Sequence, residues 1–89
     1  MLFMDIERFK DVAAIAERFQ RLGRLLPEGV TYRASWVEAD GARCFQVMEA
    51  ETAAALEPWI DRWKDLADFE VIPVLTSDAF WRARSRAQT

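Results

Sequence analysis

The sequence predicts an α+β domain of the ferredoxin-like class, with the element order β-α-β-β-α-β. Three observations predict it. Two amphipathic helical segments each lie between β-rich runs, and the pair Asp40-Gly41 separates two alternating runs, which is typical of a hairpin. Pro73, which has no backbone N–H, falls in the last β-rich run. This topology has the sheet order 4-1-3-2, so the last strand lies at an edge, where a proline is tolerated.

The first half of the chain contains a strand and a helix. Residues 2–8 alternate with the period of a strand. An apolar stripe at helical spacing then predicts a helix from Asp11, the expected N-cap, to Leu26. Its opposite face carries the charged residues Glu17, Arg18, Arg21 and Arg24. The stretch PEG at 27–29 ends the helix.

The second half contains a hairpin, a helix and a last strand. Residues 30–38 and 42–49 are the hairpin strands, and residues 52–67 carry a second apolar helical stripe. A proline costs about 3 kcal/mol in a helix interior, so we expect a turn over 52–56 with the helix restarting near Pro58, or a kink there. Residues 69–75 form the last strand. Ser77 then caps a short helix that ends in a solvated basic run of Arg82, Arg84 and Arg86.

Composition limits the function classes. A net charge of -3 and a pI near 4.9 argue against a nucleic-acid partner, which requires Lys and Arg over a whole face. We expect one domain over residues 1–89, with 77–89 as a short C-terminal helix or tail. Four Trp and six Phe are many for a domain of this size. We expect the excess at an interface or in a pocket. With no apolar run of membrane-spanning length and no leader, we expect no membrane partner and a cytoplasmic location.

The absence of histidine excludes much chemistry. Ser-His and Cys-His nucleophile pairs and imidazole ligands for zinc or haem are unavailable, and one cysteine builds neither a disulfide nor a thiolate metal site within the chain. We therefore expect no metal and no cofactor. Cys44 is interpreted as a small buried hydrophobe rather than a nucleophile. Trp59 and Trp63, one turn apart, are interpreted as core rather than as a ligand box.

Two helices cover one face of such a sheet, and the facing of each strand decides what the other face presents. The predicted helix-facing set is Leu2, Met4, Ile6, Tyr32, Ala34, Trp36, Phe45, Val47 and Val71. The predicted open set is Phe3, Asp5, Glu7, Thr31, Arg33, Ser35, Val37, Cys44, Gln46, Met48, Ile72 and Val74. A one-residue slip in the second strand would instead place Ala34, Trp36 and Glu38 on the open face and Arg33 and Ser35 on the covered one.

Four stretches carry a family resemblance: MLFMDIERFK, RLGRLLPEGVTY, SWVEADGARCFQVMEAE and WIDRWKDLADFEVIPVLTS. Together they resemble a family of short bacterial proteins of unknown function within the dimeric α/β-barrel superfamily, over nearly all the chain except the last ten residues. The resemblance implies a homodimer whose two sheets close face to face, with their open faces as the interior. The wider superfamily includes cofactor-free monooxygenases, lactone isomerases and haem-binding proteins. The family pattern has no proline at the position of Pro58.

Three functions follow as hypotheses. In the first, a homodimer binds a small, partly apolar molecule between its sheets, through Phe3, Asp5, Arg33, Ser35, Trp36, Cys44, Gln46 and Met48. In the second, the chain is a cofactor-free monooxygenase or an isomerase, with Asp5 or Glu7 as base and Arg33 stabilising anionic charge. In the third, it is a structural dimerisation module, in which the same three residues form an interface ion pair.

Overall fold

The structure is a computed structural model that describes the backbone of residues 1–87 and the side chains of residues 1–85. Its elements are β1 Leu2–Phe9, α1 Val12–Leu22, β2 Thr31–Val37, β3 Arg43–Glu49, α2 Glu57–Trp63, β4 Ala67–Val74 and α3 Ser77–Ala87. The four strands form one antiparallel sheet in the order β2-β3-β1-β4, as predicted. No helix in the described part of the chain is both long and apolar enough to cross a membrane.

Helix α1 begins as predicted and ends early. The side chain of Asp11 accepts a hydrogen bond from the Ala14 N–H at 3.0 Å, which is the expected N-cap. The helix stops at Leu22 rather than continuing to Leu26, because Gly23 adopts a positive φ of 70° and turns the chain back. The residues that follow therefore leave the helical pattern.

Pro58 is accommodated in the first of the two predicted ways. A turn of 3₁₀ helix over Ala53–Leu56 precedes α2, and Pro58 is the second residue of α2, where its missing N–H leaves no hydrogen bond unmade. Helix α2 ends at Trp63 rather than near Ala67, which instead begins β4.

The hairpin and the last strand agree with the sequence pattern. Gly41, with a φ of 76°, lies in the β2–β3 turn, and Arg43 forms an ion pair with Glu38 across it. Strand β4 lies at a sheet edge, so Pro73 removes no ladder bond from a central strand.

Helix α3 follows β4 and is capped by Thr76, whose hydroxyl accepts the Ala79 N–H, rather than by Ser77. The side chains of Arg82 and Arg84 are exposed, and that of Arg86 lies outside the described residues.

The facing predicted for β1 and β3 is wrong. Phe3, Asp5 and Glu7 point toward the helices, with exposed fractions of 2%, 0% and 6%, as do Cys44, Gln46 and Met48 on β3. The uncovered face instead carries Leu2, Met4 and Ile6 from β1 and Phe45 and Val47 from β3. The prediction put the wholly apolar side of β1 under the helices, whereas here the side that carries Glu7 is covered, and Glu7 lines a cavity.

Strand β2 changes face at a bulge. Tyr32 is on the covered side, as predicted, but the register shifts between Tyr32 and Ala34. After the shift Ser35 lies on the covered side, while Ala34 and Trp36 lie on the uncovered side, contrary to the prediction. Arg33 stays on the uncovered side, where it forms an ion pair with Glu49.

Val37 is paired with Cys44 on the covered side and lines a cavity there, contrary to the prediction, whereas the facing predicted for β4 agrees with the structure. On β4, Val71 is opposite Asp5 on the covered side, and Ile72 is opposite Met4 on the uncovered side. The core between helices and sheet is built on the side chains of Phe3, Val30, Met48, Ala50, Leu56, Trp59 and Trp63. Trp59 and Trp63 are core residues, as expected, and Trp59 meets Phe69 edge to face at 5.3 Å.

Candidate functional site

A cavity of about 190 Å³ lies between α1, α2 and the covered face of the sheet. Its apolar lining comes from Phe9, Ile15, Phe19, Val37, Trp59 and Trp63. Its polar lining comes from Glu7, Arg24, Ser35, Cys44 and Gln46. Phe19 and Val37 are 43% and 56% exposed, so the cavity opens between α1 and the end of β2.

A chain of hydrogen bonds runs along the polar side of the cavity. The Gln46 amide nitrogen donates to Glu7 Oε2 at 2.6 Å, and Arg24 Nε donates to Gln46 Oε1 at 3.0 Å. Gln46 is only 6% exposed and uses both ends of its amide. A carboxyl group, an amide and a guanidinium are therefore held in a fixed order from β1 through β3 to the turn after α1.

The turn after α1 aims Arg24 into the cavity. Leu25 takes a φ of 59°, which costs a non-glycine residue about 1 kcal/mol or more. The indole N–H groups of Trp59 and Trp63 both donate to the Arg24 carbonyl, at 3.1 and 3.0 Å, and Arg62 donates to the Leu25 carbonyl. Helix α2 thus holds this turn in its strained conformation.

Tyr32 supports the guanidinium of Arg24 from the sheet. The guanidinium carbon lies 3.7 Å from the ring centroid of Tyr32, within cation–π range. The Tyr32 hydroxyl is hydrogen-bonded to Ser35 Oγ at 2.7 Å, across the bulge. The bulge therefore brings Tyr32 and Ser35 to the same side, and both lie beside the cavity.

Asp5 is fully buried next to Glu7 on β1. Its two carboxyl oxygens have no hydrogen-bond partner among the described residues. Burial, followed by the negative charge of Glu7, raises the pKa of Asp5 to about 9. Burial also raises the pKa of Glu7, although the hydrogen bond from Gln46 opposes the rise. At neutral pH Asp5 keeps its proton, and the pair carries at most one negative charge.

Cys44 has the properties of an inert thiol. It is buried, and burial together with the charge of Glu7 raises its pKa to about 12, so the thiolate does not form at neutral pH. Among the described residues, no group of three Cys, Asp or Glu side chains is arranged to hold a metal ion.

The structure brings together part of the predicted site. Ser35, Cys44 and Gln46 line the cavity, and Asp5 lies behind Glu7, although on the covered face rather than the open one. Phe3 and Met48 belong to the core on the same side. Arg33 and Trp36 lie on the opposite face of the sheet, so Arg33 is not the cation near Asp5 and Glu7.

Sequence reasoning missed Arg24 and the aromatic wall of the site, because Trp59 and Trp63 were interpreted as core alone, whereas they also line the cavity with Phe19. The helical pattern, extended to Leu26, placed Arg24 on the solvent face. Gly23 was the available signal, since a glycine near the end of a helical pattern is a common stop.

A family model described as a domain of unknown function, DUF3303, matches residues 1–88. The chain belongs to the DUF3303 family. No match was found among curated proteins or among solved structures. The DUF3303 match contains every residue of the cavity, from Glu7 to Trp63, and extends to the end of α3.

Proposed function

We propose that this DUF3303 chain forms a homodimer through the uncovered faces of its sheets, and that each subunit binds one small, partly apolar molecule in the cavity under α1 and α2. The sequence predicted the ligand between the two sheets. Three of the polar side chains that favoured a ligand there, Ser35, Cys44 and Gln46, line the helix-covered cavity instead, so the proposed site moves with them.

The observation that carries the ligand proposal is the chain of Arg24, Gln46 and Glu7 beside an aromatic wall. Ligand sites combine apolar walls with a few fixed polar groups. A cavity of about 190 Å³ is somewhat larger than the roughly 150 Å³ that holds a benzene molecule. The volume therefore suits a molecule with a single ring or a short chain.

The uncovered face supports the homodimer. It presents a run of apolar side chains over all four strands, among them Met4, Val47 and Ile72 in paired positions and Trp36, which is 59% exposed. An apolar patch on one side of a sheet favours burial against a partner. Two copies of the chain bury these side chains when their uncovered faces meet across a two-fold axis.

Native mass spectrometry of gently purified protein tests both parts. We expect a dimer, with up to two equivalents of a reproducible small mass. Tryptophan fluorescence locates the ligand. In a Trp36→Phe Trp81→Phe variant only Trp59 and Trp63 fluoresce, and both line the cavity. A ligand that leaves their fluorescence unchanged would not be in the cavity, and a monomer at micromolar concentration would contradict the dimer.

A second candidate, proton transfer of the isomerase type, is favoured by Glu7. Its carboxyl lines the cavity with a raised pKa, near a guanidinium that is linked to it through Gln46. Ionised Glu7 would take a proton from carbon beside a carbonyl, while Arg24 stabilised the enolate oxygen. Deuterium incorporation into a retained ligand in D₂O, lost in Glu7→Gln, tests this. Equal incorporation in the variant would contradict it.

A further inference from the structure

Arg24 has hydrogen-bonding capacity that the protein does not use. Its Nε donates to Gln46, but its two Nη groups make no hydrogen bond and no ion pair with the described residues. By contrast, Arg18 on α1 forms a two-pronged pair with Asp65. The Nη groups of Arg24 are therefore free to form a two-pronged contact with an anion.

Several contacts fix the position of the Arg24 guanidinium. Gly23 and Leu25 both have positive φ, and two indole N–H groups hold the Arg24 carbonyl. The side chain is then held between the Tyr32 ring and the Gln46 amide. A cation fixed in this way loses little freedom when it binds, which favours a function in recognition over a solvated surface role.

Of the two carboxyl groups near Arg24, only Glu7 can balance its charge, because Asp5 keeps its proton. Asp5 and Glu7 are 0% and 6% exposed, and burial favours their neutral forms. Among the groups that face the cavity, Cys44 keeps its proton as well. A ligand anion on Arg24 would replace Glu7 as the partner of the guanidinium and would favour proton uptake by Glu7.

The other side of the cavity selects for a ring. Phe19, Trp59 and Trp63 line it, and Arg24 lies 5.2 Å from the centroid of Phe19. Aromatic walls favour planar ligands, which pack against them edge to face or in an offset stack. The volume limits such a ligand to one ring with a small substituent.

We propose that the cavity binds a small aromatic carboxylate, with the carboxylate on the Nη groups of Arg24 and the ring among Phe19, Trp59 and Trp63. This inference rests on the proposed ligand-binding function and adds the chemical class of the ligand.

Calorimetric titration with benzoate tests the inference, with benzamide as the uncharged ring of nearly the same shape. We expect benzoate to bind about tenfold or more tightly than benzamide, since a charge-assisted contact is lost in the amide. Arg24→Met should remove that preference by weakening benzoate much more than benzamide, because only benzoate loses a charge-assisted contact. The contacts to the Arg24 backbone carbonyl remain in this variant. Arg21→Met, on the exposed side of α1, is the matched control and should bind benzoate as the wild type does.

Benzoate and benzamide binding with equal affinity, or an Arg24→Met variant with full benzoate affinity, would overturn the carboxylate inference but leave ligand binding intact. If neither compound changed the fluorescence of Trp59 and Trp63 in the Trp36→Phe Trp81→Phe variant, the proposed function would fail together with it. If Arg24→Met does not fold, Arg24→Lys keeps the charge without the two-pronged geometry. Arg24→Lys should then bind benzoate about tenfold more weakly, and unchanged affinity would count against the inference.

Discussion

The guanidinium carbon of Arg24 lies 3.7 Å from the ring centroid of Tyr32, while its backbone carbonyl accepts hydrogen bonds from two tryptophans of α2. One residue therefore links the sheet, the turn after α1 and the second helix. A cation over an aromatic ring in a partly desolvated site contributes about 1–2 kcal/mol. The contact fixes the side chain at the cavity wall, so the geometry at Arg24 and the stability of the helix layer are coupled.

The shared carbonyl predicts coupling between Trp59 and Trp63. In either single Phe variant one indole N–H still satisfies the Arg24 oxygen, but in the double variant neither remains. We expect the double substitution to destabilise the protein by about 1 kcal/mol more than the sum of the single ones. Urea unfolding of the four proteins measures this difference, and strict additivity would contradict it.

Asp5 predicts that stability falls as pH rises. Its pKa is raised from 3.8 to about 9 in the folded chain, so between these values the folded state holds a proton that the unfolded state has released. The contribution of this group is fully present below pH 3.8 and is lost as the pH rises toward about 9. Asp5→Asn cannot ionise and should be more stable than the wild type at pH 8, by about 2 kcal/mol or more.

Asp65 provides the control for the Asp5 experiment, because the guanidinium of Arg18 lowers the pKa of its carboxyl. Asp65→Asn should therefore lose stability relative to the wild type at pH 8 and approach it in acid, the opposite sign from Asp5→Asn. Thermal unfolding from about pH 2 to pH 9 measures both. Parallel profiles for Asp5→Asn and the wild type would contradict the assignment of the proton to Asp5.

Substitution of Gly23 should have a purely conformational cost in stability. It combines φ 70° with ψ -158°, a region that side chains rarely adopt, and a Cβ at this position meets nothing within 4 Å. We expect Gly23→Ala to destabilise the protein by about 1–3 kcal/mol and to weaken benzoate binding by moving Arg24. Gly29→Ala, also at positive φ with open space around it, should lose stability without losing affinity. Full affinity in Gly23→Ala would show that the turn does not position Arg24.

Val47 tests the uncovered face. It lies opposite Met4 and Ala34 in the register, so Val47→Asp places a charge on the proposed dimer contact without entering the core. We expect the dimer to weaken at least about a hundredfold in sedimentation, with the circular dichroism spectrum unchanged. Val12→Asp, on α1 with 53% of its surface exposed, should remain dimeric. If Val47→Asp stayed as tight a dimer as the wild type, the contact would lie elsewhere.

Local signals were sufficient for the order of the elements and of the strands. Alternation in β1, the Asp-Gly pair, the Asp11 cap and the position of Pro73 each depend on neighbouring residues alone. Pro58 was interpreted correctly for the same reason, since a proline near the start of a helix is favourable whatever the rest of the chain does.

The facing of β1 could not be predicted, because both of its sides suit burial. Leu2, Met4 and Ile6 form an apolar side, and a simple rule assigns that side to the core. The structure covers Phe3, Asp5 and Glu7 instead, and there a cavity and the Gln46 amide receive the Glu7 carboxyl. No residue near β1 in sequence indicates these partners, which come from β3 and from the turn after α1.

The change of face within β2 could not be predicted from the sequence either. The bulge near Arg33 has no local sequence signature, and it exchanges the sides of Ala34, Ser35 and Trp36. The ion pair of Arg33 with Glu49 then becomes a feature of the uncovered face rather than of the site.

Pro73 and the bulge at Arg33 lie on the two outer strands of the sheet, one on each side. Outer strands with free N–H and C=O groups invite further strands from other molecules, and prolines and bulges both discourage such addition. The sheet is thereby protected against strand-by-strand growth into fibrils at both margins. A chain with so apolar an uncovered face can therefore associate in pairs without providing a template for endless polymerisation.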